Sequence, residues 1–185
     1  MLFRSLLFSA FASLLFFNAN AQKFFTKTGK IYFSAGSSIE KIEATTNKST
    51  AVVDLATGKM EVKLLVKGFH FEKALMEEHF NENYLESGKF PDANFAGNIT
   101  DLKSVDLKKD GIYTVKVAGK LTLHGVAKDV TTTAKLTTKG GAITNATTNF
   151  NVVLADYKVD IPGPVKEKIA KEAKIEVMLA LQPLK

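Results

Sequence analysis

From Ile112 to His124 the side chains alternate without a break. Tyr113, Val115, Val117, Gly119, Leu121 and Leu123 fall on one face; Thr114, Lys116, Lys120 and Thr122 fall on the other. A period of two is the signature of a β-strand with one dry face and one wet face. Thirteen residues at about 3.3 Å each give a strand of about 40 Å, long for a globular sheet. Gly119, in the middle of the dry face, predicts a bend.

The same period recurs along the chain. Gly29–Gly36 carries Ile31 and Phe33, Ile39–Asn47 carries Ile42 and Ala44, and Ser49–Ala56 carries Ala51, Val53 and Leu55. Lys59–Lys67 places Met60, Val62, Leu64 and Val66 on one face, and Ala93–Leu102 places Phe95, Gly97 and Ile99. Lys128–Thr138 carries Val130, Thr132, Ala134 and Leu136; Ala142–Leu154 carries Phe150, Val152 and Leu154. Glu172–Leu181 ends the series with Ala173, Ile175, Val177, Leu179 and Leu181. Asp54–Gly58, Asp110-Gly111 and Gly140-Gly141 read as turns. A single sheet of so many long twisted strands curls, and closure removes its edges. The expectation is therefore an all-β fold, an antiparallel barrel of eight strands in preference to a two-sheet sandwich.

Gly68–Gly97 breaks the pattern. It holds Phe69, Phe71, Phe80, Phe90 and Phe95, together with His70 and His79 and an acidic run. Aromatics so dense outside a strand predict a short helical insertion packed on the sheet or over its mouth. The first helix is expected from about Glu72 to Asn81, with Leu75, Met76 and Phe80 on one stripe. A second is expected to start with Asn83 as its cap and to end at Gly88 and Pro91.

The N-terminus reads as a removable leader. A basic start through Arg4, an apolar run from Ser5 to Phe17 and the small-x-small triplet Ala19-Asn20-Ala21 predict cleavage after Ala21. Residues 22–185 then form one domain, in the periplasm or outside the cell. The chain has no cysteine, so neither disulfides nor a lipid anchored on a cleavage-site cysteine are expected. No second apolar run is long enough to cross a bilayer, and no stable membrane insertion is expected. With 25 basic and 19 acidic side chains the net charge is +6, but the lysines are scattered over wet strand faces. A solvated surface, not a nucleic-acid groove, follows.

Catalytic chemistry is thin. His70, Glu77, Glu78 and His79 lack the spacing of a metal site. His124 ends the strongest strand beside Gly125, with no nucleophile near it, so a hydrogen bond tying the Leu123–Val126 turn is expected. Neither a cofactor nor a metal nor a catalytic residue is expected. The inward faces mix Gly97, Gly119, Thr132 and Ala134 with larger residues. An eight-stranded barrel can be filled by side chains or hold one small ligand, and alternation does not choose between them.

Two blocks of residues resemble a known family. The first is Glu78-His79-Phe80, Tyr84-Leu85-Glu86-Ser87 and Lys89-Phe90-Pro91 followed by Ala93, Phe95 and Gly97; the second is Gly119-Lys120-Leu121-Thr122-Leu123-His124-Gly125-Val126. Together, in this order, they resemble the YceI-like family. The resemblance implies a secreted or periplasmic lipocalin-like barrel with a helical insertion, binding a long apolar ligand such as a polyisoprenoid or fatty-acid-like lipid. It also implies that homodimers are common. The family's usual Asp-x-x-His-Ser opening is missing, because Gly29–Glu40 has no histidine.

On that basis the ligand tail is expected against Met60, Val62, Leu64, Phe95, Tyr113, Val115, Val117, Leu121, Leu123, Phe150, Val152 and Leu154. Ala134 is the small inward residue where space is expected, and Phe71 and Phe80 are expected over one opening. The alternatives are a filled barrel acting as an envelope interaction module and, third, an enzyme using His124.

Overall fold

The computed structural model describes residues 22–184; the expected leader, residues 1–21, lies outside them. The alternating segments form β1 (Lys23–Gly36), β2 (Glu43–Asp54), β3 (Lys59–Leu65), β5 (Asp92–Ile99), β6 (Gly111–Leu123), β7 (Val126–Lys139), β8 (Ala142–Val153) and β9 (Ile169–Ala180). Two-residue pieces, β4 (His70–Phe71) and β10 (Gln182–Pro183), add to β2 and β1. The long strands run antiparallel in the order β1-β9-β8-β7-β6-β5-β3-β2, and β2 pairs back onto β1. The expected barrel of eight strands is closed.

Turn chemistry sets two of the hairpins. His124 and Gly125 both have positive φ, 49° and 72°, and so do Gly140 and Gly141, 59° and 83°. This is the two-residue turn whose twist matches that of its flanking strands. With Leu123 opposite Val126, β6 and β7 pair along the whole of β6.

Several boundaries differ from the sequence reading. β1 begins at Lys23, not Gly29, because Phe24 packs inward at 1% exposure and pairs with Val53 and Pro183. β2 is one strand across Asn47 and Lys48, and its pairing with β1 is irregular on both sides of Gly29: from Thr26 to Gly29 the extra residue is in β1, and from Gly29 to Ile31 it is in β2. Gly119 makes no bulge. It lies opposite Gly97 in an unbroken register, and a Cβ on either would sit 2.7 Å from Phe95 Cζ. The two glycines make room for that ring.

The insertion holds one helix, not two. Ala74–His79 (α1) runs directly into a wide π-helical turn, Phe80–Tyr84. Leu85 N–H donates to Phe80 O and Ser87 N–H to Asn81 O, which winds the chain back on itself. Ser87 Oγ, 2.8 Å from Asn81 Oδ1, locks that reversal. Asn83 is thus inside the turn and cannot cap a second helix, and Glu86, at φ 41°, ends the segment.

One stretch of wall is unpaired. β7 meets β8 only from Ala134–Thr148 to Lys139–Ala142. Beyond that point Thr132 Oγ1 reaches Asn149 O at 3.0 Å, and Thr148 Oγ1 donates to Thr133 O at 2.8 Å. The hydroxyls satisfy carbonyls that lose their ladder partners where the strands part. A 3-10 turn, Leu154–Tyr157, packs against β7 past the fork.

Candidate functional site

The inward side chains do not fill the barrel. One end is solid: Phe24, Val53, Val115, Leu136 and Ile143 are each at most 2% exposed and pack together. Toward the other end a chamber of about 580 Å³ opens, within the range of about 300–1,000 Å³ common for small-molecule sites. Met60, Val62 and Leu64 of β3, Phe95 of β5 and Leu121 and Leu123 of β6 form one side of its wall. Phe150 and Val152 of β8 and Ile175 and Val177 of β9 form the opposite side. Ile99, Val117, Ala134 and Leu136, from the packed end, make its floor.

The cover is aromatic. The Phe33 ring stacks on Phe80 at 5.2 Å and meets Phe69 edge-on at 5.2 Å; Phe71 lies 5.0 Å from Phe80. Such pairs contribute about 0.5–1.5 kcal/mol each beyond buried area. They fasten the insertion to β1. Tyr84, also on the lining, has its phenol pKa raised by burial.

The charged side chains of the lining, Glu40, Lys73 and Lys168, stand with His79 on the loops and insertion at the hollow end, which form its mouth; Tyr84, Asn94, Thr132, Thr147 and Thr148 are its other polar residues. Glu40 Oε1 accepts from Lys73 Nζ at 3.2 Å, and Glu40 Oε2 lies 3.5 Å from Lys168 Nζ. The Lys73 hydrogen bond, aided by the charges of both lysines, holds the Glu40 carboxyl below its usual range.

Met60, Val62, Leu64, Phe71, Phe80, Phe95, Val117, Leu121, Leu123, Ala134, Phe150, Val152 and Leu154 all face this chamber. Tyr113 and Val115 do not. Val115 is fully buried in the packed end, and the Tyr113 hydroxyl reaches the carbonyls of Asp106 (3.0 Å) and Lys109 (3.2 Å), tying down the loop before β6. Parity placed both on the inward face, but parity gives a face and not a depth along the barrel. Sequence reasoning missed Ile31, Phe33, Ile175 and Val177, although the alternation in β1 and β9 marked them as inward. Nothing in the sequence brought Glu40, Lys73 and Lys168 together, since they come from three separate segments.

His124 lies off the chamber and is 8% exposed. Its Nδ1 donates to Tyr157 O at 2.9 Å, and its Nε2 lies 2.8 Å from Glu86 Oε2, with the Phe90 ring edge-on at 4.8 Å. The hydrogen bond expected within its own turn is not the one it makes; it joins that turn to the insertion and to the Leu154–Tyr157 segment. Both ring nitrogens thus have partners within the fold. His70 Nδ1 lies 3.7 Å from Glu77 Oε2, which accepts from Phe71 N–H at 3.1 Å. Among the described residues no three His, Asp or Glu side chains gather as a metal-holding group.

The chain resembles known proteins along most of this barrel. A model of the YceI-like domain matches residues 23–181. A UPF0312 protein of Pseudomonas fluorescens Pf-5 is 36% identical over 83 residues, 44% of this chain and 41% of the relative. A UPF0312 protein of Pseudomonas putida F1 is 30% identical over 126 residues, 64% of this chain and 61% of the relative. The match therefore spans less than two thirds of either relative. Among solved structures, a polyisoprenoid binding domain from Saccharophagus degradans, implicated in plant cell wall breakdown, superposes with a TM-score of 0.71. It is 12% identical, over 89% of this chain and 99% of that one. Burkholderia cenocepacia BcnA superposes at 0.66, with 18% identity over 83% and 96% of the two chains. At such identities these likenesses speak for the fold alone. The family model covers the barrel from its first long strand to its last, and the chain belongs to the YceI-like family.

Proposed function

We propose that this protein is a non-enzymatic carrier or sequestering protein that holds one long apolar molecule, an isoprenoid or an acyl lipid, inside its barrel. The observation that carries this reading is the chamber: about 580 Å³ walled almost wholly by carbon, above a floor of packed side chains. An apolar void of this kind offers water few partners and accepts apolar guests instead. Each buried CH₂ of a guest contributes about 0.8 kcal/mol. The polyisoprenoid binding domain of similar fold supports the same ligand class. The leader pattern supports export, with residues 22–185 acting in the periplasm or outside the cell.

Mass spectrometry of organic extracts from natively purified protein tests the reading, with a stoichiometric lipid as the expected result. Repeated absence, together with no uptake of added isoprenols or fatty acids by delipidated protein, would favour an interaction module instead. Intact mass of exported protein should place the mature N-terminus at Gln22. A soluble cytoplasmic product retaining Met1 would overturn the export reading.

A further inference from the structure

The charged side chains of the chamber stand in one place. Glu40 lies in the loop after β1, Lys73 just before α1 and Lys168 just before β9. Two ammonium groups share one carboxylate, at 3.2 and 3.5 Å, which leaves an excess of one positive charge at the mouth. Neighbouring acids have other partners: Glu43 pairs with Lys41 at 2.8 Å, and Glu77 accepts from Phe71 N–H. Glu72, Glu78 and Glu167 are not on the lining, whereas His79 is. Deeper in, the hydroxyls of Thr132 and Thr148 serve strand carbonyls. A tail that fills this space therefore leaves it between Lys73 and Lys168.

We propose that the ligand is a single-tailed amphiphile with an anionic head, a carboxylate or a phosphate, held between Lys73 and Lys168. The proposal rests on the reading of the chamber as an apolar-ligand site. An anion inside the carbon-walled chamber would lose its hydration without compensation. At the mouth it stays partly hydrated and accepts charge-assisted hydrogen bonds. It competes with Glu40 for the same two ammonium groups. Because the Lys73 and Lys168 side chains are 63% and 50% exposed, salt screens the gain. A hydroxyl head on the same tail accepts a hydrogen bond from them without the charge assistance, and so gains less.

The test uses the full mature chain, delipidated, titrated by calorimetry with oleate, oleyl phosphate and oleyl alcohol below their micellar concentrations. Farnesyl phosphate and farnesol repeat the comparison on an isoprenoid tail. At low salt the anions should bind about tenfold more tightly than the alcohols, the gain of two partly screened charge contacts. High salt should shrink that preference. A Lys73→Gln/Lys168→Gln double variant should abolish it, read as the ratio of anion to alcohol affinity within the variant. Preference for oleate over oleyl phosphate assigns a carboxylate, and the reverse assigns a phosphate. Equal binding of acids and alcohols, or a preference that survives in the double variant, overturns the anionic head but leaves the tail site standing. If none of the five probes binds, the chamber reading fails and this proposal with it.

Discussion

The two ends of the barrel are made from the same strands and differ in what occupies their middle. Toward the start of β1 and the end of β9, Phe24, Val115, Leu136 and Ile143 meet across the axis, and Leu181 joins them just after β9. Toward the insertion, Leu121, Leu123, Phe150, Ile175 and Val177 face inward with equal regularity but remain partly exposed around open space. Alternation and strand number are common to both ends. At the packed end Phe24 enters from the start of β1, and Leu102, Val105 and Leu107 of the loop before β6 pack against the same cluster. At the hollow end β7 and β8 part, and the insertion stands over the opening. An eight-stranded barrel sits at the size where either outcome is available, so the plugs and covers decide.

The largest effect expected from this difference comes from one substitution made at both ends. Phe24→Ala removes a ring that is 1% exposed and should cost about 3–5 kcal/mol of unfolding free energy. Phe150→Ala removes a ring that already borders the void, and should cost about 1–2 kcal/mol. Urea unfolding of delipidated protein gives both values. Equal losses would mean that the hollow end is as tightly packed as the other.

Gly119→Ala probes the wall where the ends meet. The new Cβ would press on Gly97 Cα at 2.5 Å and on the Phe95 ring at 2.7 Å. A loss of about 1–3 kcal/mol is expected, with Phe95 pushed into the chamber and apolar-probe affinity reduced. Unchanged melting and binding would show that the glycine pair is not what seats the ring.

Ala134→Phe sharpens the boundary from below. Ala134 is 6% exposed and lies both in the packed cluster and on the chamber floor. A ring there should raise the floor, costing about 1 kcal/mol of overpacking while weakening long tails far more than short ones. A chain-length series of fatty acids, titrated into variant and parent, reads the difference; a uniform loss across lengths would place Ala134 away from the tail's end.

The smallest effect concerns the mouth. Glu40 has its folded-state pKa lowered from 4.5, first by the Lys73 hydrogen bond. Its pairing is therefore fully present above the ordinary carboxylate range and is lost as pH falls through the lowered value. Carboxyl NMR should find Glu40 still mostly ionised at its ordinary value, pH 4.5. Titration at or above that pH would mean that the lysines do not hold it in solution.

The sequence by itself determined the strands, their dry faces and the position of the insertion. Each is local: a period of two, a pair of turn residues such as Gly140-Gly141, or a cluster of phenylalanines can be read within a dozen residues. Depth along the barrel was not local. Tyr113 and Val115 share a face with Leu121 and Leu123, yet only the closed barrel put Val115 in the packed cluster with Phe24 and the Tyr113 hydroxyl on the loop before β6. The single helix with its π turn was hidden as well, because hydrogen bonds from Leu85 and Ser87 back to Phe80 and Asn81 outweighed the capping pattern at Asn83. The meeting of Glu40, Lys73 and Lys168 belonged wholly to the tertiary structure. Residues separated by 33 and then 95 positions become neighbours only when the barrel closes, and no local pattern records where a closed sheet brings its loops.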